Sequence, residues 1–240
     1  MKKIIKYLLM CIVSLIMIVL ISFFIWTQQT YEPSKKLDNL VKEINYEEDW
    51  VVFNPRESKG VGVILYPGAK VEPEAYSYIA QQLSDQGYFV GIPKVRLNLP
   101  MFDRNKAAEL INKSDSIEKW YVGGHSLGGV TAAAFASEHP DVVSGLILLA
   151  SYPSSSNNFS QTNVPTLSIY AENDGLSTID KIEKNRHLLS QQTELYEIKG
   201  GNHAQFGIYG PQKGDHKAAI SVKEQQDIIG NEMLKWFEGR

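Results

Sequence analysis

From Tyr7 to Trp26 the chain carries no charged side chain. About twenty such residues, rising roughly 1.5 Å each in a helix, cross a bilayer core, so the run predicts a transmembrane anchor over 7–26. Residues 27–47 turn polar and mixed, with Pro33 and Ser34 close behind the span, and read as a linker. Beyond that, short apolar runs alternate with helical spacing. Trp50–Pro55 and Val61–Gly68 read as strands, the second nearly continuously apolar and therefore central. Tyr76, Ile79, Ala80 and Leu83 recur at helical spacing between Pro73 and Gly87, which suit a helix start and stop. Tyr88–Pro93 is the next strand, followed by a helix over Arg104–Asn112, a strand over Ile117–Gly124 and a helix over Leu127–Ser137. Val142–Ala150 and Val164–Ala171 are strands, Ile179–Leu189 is helical, a strand begins at Thr193, and Lys217–Phe237 is the last helix. The order predicts an α/β domain over 48–240, a mostly parallel sheet with helices on both faces. Trp50–Pro55 and Val61–Gly68 leave no room for a helix between them and are expected to form an antiparallel edge.

Charge sharpens this picture at the start of the chain. Lys2, Lys3 and Lys6 form a basic tip over 1–6, whereas Glu32 precedes Lys35 and Lys36 beyond the span. The positive-inside tendency keeps such a tip in the cytoplasm and predicts a single-pass protein of the cell membrane with an extracytoplasmic domain. The run is longer than a signal peptide's apolar stretch, and no small-residue cleavage pattern follows it. The sole cysteine, Cys11, lies inside the run, so the domain has no Cys nucleophile and no internal disulfide. A net charge of −3 without a dense Lys/Arg face gives no footprint for nucleic acid.

The chemistry concentrates in "WYVGGHSLGGVTAAAFA", residues 120–136. Gly124-His125-Ser126-Leu127-Gly128 fits G-x-S-x-G, three fixed positions that recur by accident in about one in ten chains of this length. The context is more specific than the motif: an aromatic, β-branched strand, a sharp turn with Ser126 at its apex, and then a helix. Gly124 and Gly128 give the turn steric clearance, and Ala132, Ala133 and Ala134 let the helix approach the sheet. A serine hydroxyl needs a base and a group to hold that base. His203, in "KGGNHAQFG" after a strand, is the best base, with His216 as fallback. His125, His139 and His187 read as structural or surface residues, His125 with its side chain directed elsewhere. Asp174 follows the strand end in "SIYAENDGLS" and is the acid, with Glu172 as its alternative. The oxyanion donors are expected to be the N–H of Leu127 and that of Ala69 in "YPGAKV", Lys70 being the alternative to Ala69. In "IPKVRLNLPMF", Lys94 and Arg96 are candidate contacts for an anionic substrate and Phe102 for an apolar wall.

These three loops resemble the α/β-hydrolase superfamily. "YPGAKVEPEAY" and "GGNHAQFGIYGPQKGD" are similar to its fold-5 group, near the dienelactone-hydrolase-like enzymes. The resemblance covers about 48–240 and implies hydrolysis of a carboxylic ester or related acyl bond in a small-molecule substrate, with no metal and no organic cofactor. Dienelactone hydrolases carry Cys where this chain has Ser126, which argues against their substrate, and the loop after Ala150 is too short for a large lid domain. A catalytically silent scaffold serving as a binding module, and an acyltransferase using the same triad, are the rival readings.

Overall fold

The computed structural model describes residues 2–240; Met1 of the basic tip lies outside the described residues. Helix α1 (Lys2–Thr27) contains a stretch from Lys3 that is long and apolar enough to cross a membrane. From Lys3 to Trp26 it is exposed, and only its C-terminal end meets the domain, where Thr27 is fully buried.

Eight strands follow: β1 (Asn45–Glu47), β2 (Trp50–Phe53), β3 (Val61–Tyr66), β4 (Tyr88–Pro93), β5 (Lys119–His125), β6 (Val143–Leu149), β7 (Thr166–Ala171) and β8 (Thr193–Ile198). They form one sheet in the order β1-β2-β4-β3-β5-β6-β7-β8. From β4 to β8 every pairing is parallel. The central strands β3 and β5 are buried nearly end to end, as their continuous apolar runs require.

Helices cover both faces. On one, α2 (Ser77–Asp85) and α6 (Val222–Glu238) pack Ile79, Leu83, Ile229 and Met233 against Val63, Leu65, Val90 and Ile147. On the other, α3 (Lys106–Lys113) and α4 (Leu127–Glu138) pack Leu110, Ala132, Ala133 and Phe135 against Ile64, Val122, Leu146 and Leu148. Helix α4 meets the sheet through Ala132, Ala133 and Ala136, all fully buried, and these short side chains let it lie close. A further short helix, α5 (Ile179–Asn185), follows β7.

Three expectations need correction. The antiparallel edge is real, but β2 pairs with β4 rather than with β3, and β1 adds a further antiparallel strand outside it. The chain between β2 and β3 crosses over β4, so sequence neighbours are not sheet neighbours. Residues 27–47 are more than a linker: Leu37 and Val41 are buried in the core, and Tyr31 forms a parallel bridge with Val71. The last helix starts at Val222 rather than Lys217. Ser221 caps it by accepting the N–H of Glu224, while Ala219 and Ile220 donate to the Gly200 carbonyl.

Candidate active site

Ser126 occupies the apex between β5 and α4 with φ 53° and ψ −120°. A side chain other than glycine seldom adopts such a backbone, and holding it costs on the order of 1–3 kcal/mol. The surroundings hold it firmly. The Ser126 N–H donates to the Leu149 carbonyl at 2.9 Å, and its own carbonyl accepts from Gly129 N–H at 3.0 Å and from Ser151 Oγ at 2.7 Å. The flanking glycines are steric necessities: a Cβ on Gly128 would sit 2.2 Å from the Tyr66 carbonyl oxygen, and one on Gly124 would sit 2.5 Å from the Gly128 carbonyl carbon.

His203 enters from the loop after β8 and Asp174 from the loop after β7. Nδ1 of His203 lies 2.7 Å from Oδ2 of Asp174, and both side chains are fully buried. The other carboxylate oxygen of Asp174 accepts the N–H groups of Leu176 and Ser177 at 2.7 and 2.6 Å, which fixes the acid's orientation. Nε2 of His203 is buried and has no hydrogen-bond partner among the described residues. This arrangement leaves one ring nitrogen oriented by a carboxylate and the other available to exchange a proton. Glu172, the alternative acid, instead accepts the Gly200 N–H from an exposed position.

The loop after β3 also reaches this edge. Lys70 donates its N–H to the Asn98 carbonyl at 2.7 Å and Gly68 donates to Tyr76 Oη at 2.8 Å, so both of those amides are engaged. The intervening amide of Ala69 has no protein acceptor among the described residues, and neither does that of Leu127 in the first turn of α4.

The family model described as "Alpha/beta hydrolase family" matches residues 62–227, which takes in the elbow and both partner loops. The chain belongs to the alpha/beta hydrolase family. Among solved structures, this hydrolase-family chain is similar to an alpha/beta hydrolase enzyme from the metagenome of sediments of the Mar Chica lagoon, Morocco. That match has 16% identity and a TM-score of 0.61, covering 83% of this chain and 99% of that one. It is also similar to Est1E from Butyrivibrio proteoclasticus (14% identity, TM-score 0.55, 81% and 98% covered). A protein described as a predicted CIB-like hydrolase from Thermoplasma acidophilum matches at 19% identity and TM-score 0.54, with 79% and 97% covered. A search of curated proteins gave no match.

Not every candidate of the sequence lies ready at the site of this alpha/beta hydrolase. The Arg96 guanidinium is committed to Asp103 at 2.5 Å and to the Phe102 carbonyl, so an incoming anion would have to displace both. Lys94 is exposed, with its backbone N–H tied to Asp49 beside the antiparallel edge, and Phe102 is half-exposed on the surface. His216 is exposed and offers its carbonyl to Asn202. Among the described residues no three His, Cys, Asp or Glu side chains are grouped to hold a metal ion.

Two supporting groups escape the sequence reading. His125 is fully buried, with Nδ1 2.9 Å from Tyr76 Oη and its ring centroid 4.5 Å from that of His203. Its side chain is therefore directed at the site. Burial, and then the facing His203, hold the His125 pKa well below the ordinary histidine value, which keeps it neutral. Asp215 joins the two partner loops: Oδ1 accepts the N–H groups of Gly175, His203 and His216, and Oδ2 accepts that of Ala204. An Asp between Gly214 and His216 in a polar stretch carries only a turn signal, and nothing local marks it as a clamp.

Proposed function

We propose that this protein is a membrane-anchored serine hydrolase that cleaves a carboxylic ester or related acyl bond of a small-molecule substrate. Ser126 Oγ attacks the carbonyl carbon while Nε2 of His203 takes its proton. Asp174 holds the imidazole by Nδ1 and stabilises the imidazolium that forms. The N–H groups of Ala69 and Leu127 receive the developing oxyanion. The tetrahedral intermediate collapses as His203 returns the proton to the leaving alcohol, which leaves an acyl group on Ser126. Water, deprotonated by the same nitrogen, then attacks the acyl carbon; the bond to Ser126 Oγ breaks, His203 returns the proton to Oγ, and the acid leaves. These groups all belong to the chain, and the cycle as written uses no metal or organic cofactor. Helix α1 serves as a signal-anchor in the cell membrane, with the basic tip cytoplasmic and the domain outside.

The observation that carries this reading is the oriented His203 ring, tied to Asp174 at 2.7 Å with Nε2 unpartnered, at the sheet edge where Ser126 stands on its strained turn. Family membership supports it, since acyl-bond hydrolysis is what such a site does most directly. Turnover of short p-nitrophenyl esters by the full chain, compared with Ser126→Ala, tests it. The expected result is turnover by the wild type alone; equal turnover by both would remove the assignment.

A further inference from the structure

The anchor helix ends against the two loops that frame the site. Asn98 Nδ2 donates to the Thr27 carbonyl at 3.0 Å, and the Lys70 ammonium lies 4.4 Å from the centre of the Trp26 ring. A few residues on, Tyr31 donates its N–H to the Lys70 carbonyl at 2.6 Å and accepts that of Glu72 at 3.1 Å, while Thr30 Oγ1 donates to the Glu72 carboxylate at 2.8 Å. Lys70 is in turn bonded to Asn98. The end of α1 is thus stitched to residues 68–72, which carry Ala69, and to residues 95–103, which follow β4. Both loops leave the carboxyl ends of parallel strands, the edge where Ser126, Asp174 and His203 meet.

Position along the helix sets the depth of that edge. The apolar run closes at Trp26, a residue suited to the boundary between hydrocarbon and headgroups. With α1 across a bilayer, the contacts made by Trp26, Thr27 and Tyr31 would hold the Ala69 loop at the headgroup layer. Surface chemistry agrees. Among the described residues outside α1, the large hydrophobic side chains that stand exposed are Tyr46, Met101, Phe102 and Val142, and two of these four lie in the 95–103 loop itself. Lys35 and Lys36, also exposed, follow the anchor on the same linker and suit anionic headgroups.

We propose that α1 holds the catalytic edge face-on to the bilayer, with Met101 and Phe102 dipping into the lipid surface, and that the acyl ester cleaved is one carried by a bilayer lipid. This rests on the serine-hydrolase reading of the site. An ester already resident in the membrane meets Ser126 at high effective concentration, whereas a freely dissolved substrate gains nothing from the tether.

The test uses the full chain in lipid nanodiscs, with 4-methylumbelliferyl oleate embedded in the disc and 4-methylumbelliferyl acetate in solution. A flexible Gly/Ser spacer of about ten residues inserted after Gln28 frees the edge from the membrane, and Met101→Asp removes one apolar contact. Both should lower the rate on the embedded ester about tenfold, while leaving acetate turnover and fluorophosphonate labelling within about twofold of wild type. Equal rates on the embedded ester in wild type and both variants, or a parallel fall on both esters, would overturn the membrane-facing site. So would a wild type that cleaves the acetate and not the oleate. Failure of the wild type to be labelled or to cleave either ester would instead overturn the hydrolase reading beneath it.

Discussion

His203 Nδ1 and Asp174 Oδ2 lie 2.7 Å apart, with neither side chain reaching solvent. In that environment the carboxylate dictates the imidazole tautomer. Asp174→Asn keeps the size of the side chain and removes its charge, and its amide can pair with the ring in the wrong tautomer. Turnover of a short ester should fall by about a thousandfold to ten-thousandfold with KM little changed. A near-wild-type kcat would show that some other group orients His203.

Asp215 binds four backbone N–H groups spread over the acid loop and the histidine loop. Asp215→Ala should separate those loops and lower kcat by about a hundredfold, the scale of an ångström's misplacement. Asp215→Asn keeps an acceptor at the Oδ1 position and should recover part of the loss. If the alanine variant loses stability in urea and yet keeps its kcat, the clamp supports the fold alone.

The elbow tolerates no added methyl group on its inner side. Gly128→Ala sets a Cβ against the Tyr66 carbonyl, the residue from which the Ala69 loop departs. Overpacking of this kind costs about 1–3 kcal/mol. The variant should unfold at lower urea and label more slowly with a fluorophosphonate. Wild-type behaviour in both would mean that the elbow is looser than its contacts imply.

His125 makes a prediction about pH. Its pKa in the folded protein lies well below the 6.5 of an exposed histidine, so the unfolded chain binds the extra proton first as the solution is acidified. The stability that neutral His125 confers is whole above about pH 6.5 and is lost as pH falls below it, by at most about 1.4 kcal/mol per pH unit. Urea unfolding at several pH values should show this slope, and His125→Gln should flatten it. An unchanged slope in the variant would assign the effect to other groups.

Much of this was legible in the chain. Ser126, Asp174 and His203 occur in an order that a sheet with strand-end loops brings to one edge, and each loop carries its own turn residues. The start of the last helix moved because Ala219 and Ile220 donate to the Gly200 carbonyl rather than forming helical bonds. What escaped depends on closure in three dimensions. β1 is three residues long and exposed at every one, so it has no alternation to read. The pairing of β2 with β4 follows from a crossover, which spacing along the chain does not reveal. The 27–47 segment looks like a linker because its buried apolar residues, Leu37 and Val41, are sparse among polar ones. His125 sits in a strand buried on both faces, where alternation does not say which way the ring points.

The most direct test of the central claim is mass spectrometry of the full chain after reaction with a fluorophosphonate. The account predicts a single phosphonyl adduct on the peptide containing Ser126, absent from Ser126→Ala and formed far more slowly in His203→Ala. An adduct on another residue, or equal labelling of wild type and Ser126→Ala, would contradict it.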